Sequence, residues 1–240
     1  MKLWISLLIL AIAAAAPAWA QVAGGDEMKG AEAVTKLPAP RLDGPVSVEK
    51  AIRERRSVRS FSEEALTLEQ AAQLLWAAYG VTKPVPDGPA FIRGGLRAAP
   101  SAGALYPLEV YLVAGNVTGL APGIYRYVSE KHELARIEAG DQREALSQAA
   151  LGQGWIGQAS ATLFIAAVPE RTTRKYGERG GARYVWMDAG FAGENVYLQA
   201  RALGLGCCIA GAFDDAAVRR MMKLPEKEIP VCILSVGRQK

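Results

Sequence analysis

Three short segments hold residue types that could do chemistry. In the first, Arg55, Arg56 and Arg59 stand with Ser57 and Ser60 inside six residues. Guanidinium forks pair bidentately with phosphate, and hydroxyls complete such a shell. This segment could therefore surround an anionic group and part of the molecule that carries it. The alternative is a solvated basic face at a helix C-terminus, where cations favour the helix dipole. The second segment, Arg97 to Pro107, reads RAAPSAGALYP. Its residues Pro100, Ser101, Ala102 and Gly103 are small or rigid, so backbone groups can approach a flat ligand closely. An ordinary tight loop entering a strand is the alternative. The third, Gly204 to Phe213, reads GLGCCIAGAF, with Ile209, Ala210 and Gly211 at its centre. It suits close packing on a planar ligand, or simply a glycine cap ending a helix.

The elements that must position these segments can be read from pattern. Ser47 caps a helix running to about Arg56, with Val48, Ala51 and Ile52 as its apolar stripe. Thr67 to Gln70 form a capping box for a second helix that Gly80 ends. Residues 81–104 read as a long loop. Leu108–Ala114 reads as a buried strand, and Ala161–Val168, apolar on both faces, as a central one. Gly123–Val128 and Glu133–Ile137 flank a turn and predict a hairpin. Asp141 is expected to cap a short helix to about Leu151. Arg183–Leu203 carries the longest helical stripe: Val185, Ala189, Ala192, Val196, Ala200 and Leu203. Short strands at Cys207–Phe213 and Val231–Val236 flank a helix capped by Asp214. The expectation is an α+β fold with helices around a central mixed sheet.

The chain has 240 residues, half of them apolar and 22% charged, which excludes a disordered protein. A net charge of +4 suits a small anion as well as nucleic acid. The basic residues cluster with the motifs rather than along a stripe, so nucleic-acid binding is not expected. His132 is the single histidine, which excludes multi-histidine metal sites; no metal is expected. Residues 1–20 combine Lys2, an apolar stretch and Ala18/Ala20 ahead of Gln21, the pattern of a signal peptide cleaved after Ala20. The expected location is periplasmic or secreted, with no membrane span left after cleavage. Residues 21–46 read as a flexible leader, and 47–240 as one folded domain. Cys207, Cys208 and Cys232 are odd in number and lie in apolar surroundings, so they read as buried thiols rather than a disulfide framework. No G-x-G-x-x-G follows a first strand, and no P-loop is present.

The order RRSVRSF, PSAGALYPLEVYLV, DAGFAGENVYLQARALGLGCCIAGAF and a terminal VGR resembles the FMN-dependent nitroreductase superfamily. PSAGALYP and KYGERGGARYVWMDAG are similar to its SagB-type dehydrogenase branch, which includes oxidases that turn azolines into azoles in modified peptides. The resemblance covers about residues 47–240. It implies an intertwined homodimer with FMN at the interface and hydride transfer through flavin N5. It assigns Arg55, Arg56, Ser57 and Arg59 to FMN, with Arg59 near the flavin's pyrimidine edge. Pro100, Ser101, Ala102 and Gly103 would pack on the cofactor from the partner subunit. Ile209, Ala210 and Gly211 would flank the ring, and Arg238 would add a cation for the phosphate. Lys175 and Tyr176 match a pair that looks catalytic in the azoline oxidases; a charged surface loop is the alternative. The chain departs from the family at Ala104, where many relatives have Asn, and at Phe191 and Glu194, where the branch often has His and Gln. The implied activity is an exported FMN oxidoreductase acting on a small flat molecule such as a nitroaromatic or quinone. NAD(P)H is a candidate donor that export would leave behind. An azoline-type dehydrogenase and a non-catalytic FMN-binding protein are the alternatives.

Overall fold

The computed structural model describes residues 33–240; the expected signal peptide and most of the leader lie outside them. Described elements are β1 (Val34–Lys36), α1 (Val48–Glu54), β2 (Leu66–Thr67), α2 (Leu68–Tyr79), β3 (Val81–Pro84) and β4 (Gly95–Arg97). Then come β5 (Leu108–Ala114), β6 (Val117–Thr118), β7 (Gly123–Val128), β8 (Glu133–Ala139), α3 (Arg143–Ala149), α4 (Gly154–Gln158) and β9 (Ala161–Ala167). The chain ends with α5 (Glu170–Tyr176), α6 (Val185–Ala202), β10 (Gly206–Ala210), α7 (Asp215–Met221) and β11 (Ile229–Gly237).

Seven strands form one sheet in the order β1-β8-β7-β5-β9-β11-β10. Period-two alternation divides its side chains between two layers. Leu108, Val110, Leu112 and Ala114 of β5 join Leu163 and Ile165 of β9 under α2 and α6. Tyr111, Val113, Phe164 and Ile233 face the other way, against Leu146, Ile156 and Val218 of α3, α4 and α7. The result is an α+β sandwich of helices, sheet and helices.

The sheet is antiparallel at every neighbouring pair, not mixed as the sequence suggests. The reason lies in β11. α5 and α6 carry the chain from β9 to a strand of the same direction, β10, as a crossover does. β11 then inserts between them and pairs antiparallel with both.

Two further expectations are corrected. The leader does not stay free up to residue 46: Val34–Lys36 add a strand to β8. Leu37 N–H bonds His132 O at 3.1 Å, and buried Gln73 takes both the N–H and the C=O of Arg41, at 2.8 and 3.1 Å. Three residues are too few to show alternation. His132 serves this strap, with Nε2 2.8 Å from Pro38 O and Nδ1 2.8 Å from Tyr127 Oη. Residues 81–104 are not one loop, since β3 and β4 pair as a small hairpin. The capping box of α2 forms as expected, with Gln70 N–H on Thr67 Oγ1 and Thr67 N–H on Gln70 Oε1.

Candidate functional site

Helix α1 ends at Arg55, and the chain then runs alongside β10. Ser57 bridges Cys207 in parallel fashion, and Val58 N–H bonds Cys207 O at 2.9 Å. The first and third sequence segments thus meet at the sheet edge. Gly206 permits the approach, because a Cβ there would fall 2.6 Å from Val58 Cγ1 and 2.7 Å from its Cβ. Gly206→Ala should therefore push Val58 off β10 and destabilise the fold by about 1–3 kcal/mol, the usual cost of overpacking. Urea unfolding checks this; an unchanged midpoint contradicts it.

Tyr197 of α6 ties the two segments together. Its hydroxyl accepts Ile209 N–H at 2.9 Å and lies 3.1 Å from Ser57 Oγ. Arg55 stacks its guanidinium over the Tyr197 ring, 5.3 Å from the centroid. A cleft of about 270 Å³ opens beside them, lined by Arg55, Arg56, Tyr197, Arg201 and Gln239, with Glu54 at its side. Glu54 is neutralised by Arg53 at 3.0 Å and Arg201 at 2.5 Å, which hold its carboxyl below the usual range. Arg59 lies over Trp155 of α4, 5.8 Å from its ring centroid. Ile209 is exposed, and Gly211 has open space where a Cβ would point. Burial raises the Cys208 thiol pKa against the opposing pull of Arg59. All three cysteines are buried and free, as expected.

Not every assigned arginine faces the cleft in the same way. Arg56 folds its Nη1 back onto the carbonyls of Arg53 and Arg55, at 3.0 and 2.7 Å. It caps α1, the helix-end role that its position also allowed. Arg238 points its Nε at Glu64, 2.6 Å away, while its neighbour Gln239 lines the cleft. Side chains alternate along this extended segment, so only one of the two can face it.

The second segment forms a separate cluster. Ser101 Oγ accepts Tyr106 N–H at 2.9 Å, and Asp188 of α6 receives Ala102 N–H at 3.3 Å. Gly103 has φ +63° and packs so closely on α5 that a Cβ would meet Tyr176 Oη at 2.6 Å and Lys175 Nζ at 2.9 Å. Lys175 and Tyr176 therefore belong to a helix, not a surface loop, and the fold brings them to Ser101–Gly103. Arg171 anchors that helix, with Glu109 at 2.6 Å and Tyr106 O at 3.2 Å. Tyr176 also packs edge-on against Tyr184, 5.0 Å between centroids. Asp188 and Arg201 are 13 residues apart on α6, about 20 Å along the helix axis. Within one chain the two clusters sit at opposite ends of that helix.

Tyr197, Arg201, Trp155, Gln239 and Asp188 escaped the sequence reading. Asp188 carried a usable signal, since it falls in register with the buried stripe of Val185, Ala189 and Ala192. A carboxylate on a buried stripe needs a partner.

The α+β architecture thus sets Arg55, Ser57 and the Tyr197 hydroxyl beside the edge strand β10. Residues 52–238 match the model of the nitroreductase family. The chain is 42% identical over 194 residues to a Methanocaldococcus jannaschii protein assigned as a nitroreductase, covering 81% of this chain and 92% of that one. It is 32% identical over 132 residues to the trifolitoxin-processing protein of Rhizobium leguminosarum bv. trifolii, covering 53% of this chain and 35% of the relative. A crystal structure from Ralstonia eutropha JMP134, also assigned as a nitroreductase, superposes with TM-score 0.72 at 30% identity, covering 88% and 91% of the two chains. An FMN-dependent nitroreductase of Clostridium difficile shares the fold, with TM-score 0.54 at 21% identity, covering 79% of this chain and 86% of that one. The chain belongs to the nitroreductase family.

Proposed function

We propose that the protein is an exported FMN-dependent oxidoreductase that works as a homodimer on a small, flat organic substrate. The observation that carries this reading is the docking of Arg55–Arg59 along β10 through Ser57, Tyr197 and Ile209. The residues present fit FMN. Arg55 offers a cation to a phosphate in the cleft, Arg201 beside it offsets the Glu54 carboxylate, and exposed Ile209 with open Gly211 offers a flat surface to a ring. When bound, FMN supplies hydride acceptance and donation at N5. Arg59 would hold positive charge at the ring edge that becomes negative on reduction. Lys175 Nζ and Tyr176 Oη, beside Gly103, would hold or release the substrate's proton.

A second copy of the chain is part of this reading. The Ser101–Gly103 cluster lies far along α6 from the arginine cluster, so a partner would have to bring it to the same flavin. α6 also exposes Trp186, Met187 and Phe191, apolar area that a partner would cover. The residue 1–20 pattern supports export, and in that compartment the donor would be a substrate or quinol rather than NAD(P)H.

A second reading is favoured by the similarity to the trifolitoxin-processing protein. In it, Lys175 and Tyr176 serve an azoline-to-azole oxidation on a peptide, as in the SagB-type branch. Anaerobic mixing of the FMN-loaded protein with NADPH, a quinol or an azoline-bearing peptide separates these readings. Bleaching by the quinol and reoxidation by a nitroaromatic or quinone is expected. Bleaching by the peptide alone favours the second reading, and no bleaching by any of the three contradicts both.

A further inference from the structure

The Ser101–Gly103 loop is gripped from two helices at consecutive residues. From α6, the Asp188 carboxylate takes Ala102 N–H on Oδ1 at 3.3 Å. Next to it, Ser101 Oγ accepts Tyr106 N–H at 2.9 Å. From α5, Lys175 Nζ and Tyr176 Oη close on Gly103. The backbone that follows is strained: Ala104 and Tyr106 have φ of +55° and +48°, beside Gly103 at +63°, which a glycine adopts freely. Non-glycine residues hold that conformation only where their surroundings over-determine it.

Asp188 is 2% exposed, and its Oδ2 is buried without a hydrogen-bond partner. Burial raises its pKa against the hydrogen bonds from Ser101 and Ala102. Such a carboxylate costs stability, so packing of α6 does not account for it. Ala189, Ala192 and Ala200 line the same stripe with small apolar side chains.

We propose that Asp188 is a positioning residue: through Ala102 N–H it locks the strained turn that presents Gly103 to Lys175 and Tyr176. The loop so fixed is the surface offered to the flavin, and this second clause rests on the functional reading above. The locking itself does not.

The test compares the full chain with Asp188→Asn and Asp188→Ala. Asn keeps Oδ1, the oxygen that receives Ala102 N–H, and removes the charge; Ala removes both. The first readout is amide hydrogen exchange of residues 101–106 in FMN-free protein. Ala should speed exchange there ~10-fold, the loss of one or two buried hydrogen bonds, while β5 and α2 amides stay unchanged. Asn should keep the wild-type protection. The second readout is the visible circular dichroism of added FMN, which Ala should alter and Asn should not. Should Ala fail to fold, Asp188→Ser, too short to reach Ala102 N–H, takes its place with the same expected rise. Unchanged loop exchange in Ala overturns the proposal. So does equal damage by Asn and Ala, which would assign the effect to charge. If the wild-type chain binds no FMN, the functional reading fails, while the exchange result still decides the role of Asp188.

Discussion

Arg55→Ala is expected to weaken FMN binding roughly 30- to 150-fold, the loss of about 2–3 kcal/mol in a charge-assisted contact. Arg55 lines the cleft and stacks on Tyr197. Its neighbour gives an internal control. Arg56 spends its guanidinium on the carbonyls that end α1, so Arg56→Ala should change FMN affinity only a few-fold while costing about 1 kcal/mol of stability. Titration of FMN fluorescence measures both. Equal losses for the two variants would mean that the cleft does not receive the phosphate.

The largest stability effect should come from Glu109→Ala. Glu109 lies in β5, 4% exposed at its side chain, with Arg93 at 3.0 Å, Arg126 at 2.9 Å and Arg171 at 2.6 Å. Removing it leaves three guanidiniums beside one another, at a cost of about 3–5 kcal/mol. α5 should loosen first, because Arg171 is its anchor. The same group sets a pH dependence. Burial acts to raise the carboxyl pKa, but Arg93, Arg171 and Arg126 outweigh it and hold it far below the ordinary carboxylate range. A depressed folded-state pKa gives stability that is full above the unfolded value and is lost as pH falls below it. Urea unfolding of the wild type should therefore weaken steadily below about pH 4.5, as expected for a carboxylate. Glu109→Ala should show a shallower acid slope. Parallel slopes would remove Glu109 from the acid response.

Much of this fold was legible because burial writes itself into alternation. The bounds of β5, β7 and α2 match the sequence reading, since apolar runs and caps mark their ends. β1, α4 and α5 were not legible. β1 is three residues long, α4 five, and α5 spans a charged run whose only fully buried member is Thr172. The sheet's antiparallel character was hidden because the insertion of β11 between β9 and β10 is a tertiary choice. The site divides in the same way. Arg55–Arg59 and Ile209–Gly211 come together at one sheet edge, through Ser57 and Tyr197, which their residue types alone do not predict. Arg238 does not enter the cleft, because Glu64 is within reach and alternation turns Gln239 inward instead. Tyr197, the residue that joins the two segments, gives no local signal, since a tyrosine in a helix reads as core.

The proposed hold on FMN by the Arg55–Arg59 edge of β10 has a simple optical readout. The direct measurement is the visible spectrum of the chain from Gln21 onward, after FMN is added and the excess removed. One flavin per chain, with absorbance retained through gel filtration and lost in Arg55→Ala, is the predicted result. A protein that emerges colourless would rule out this FMN site and return Arg55–Arg59 to a solvated basic face.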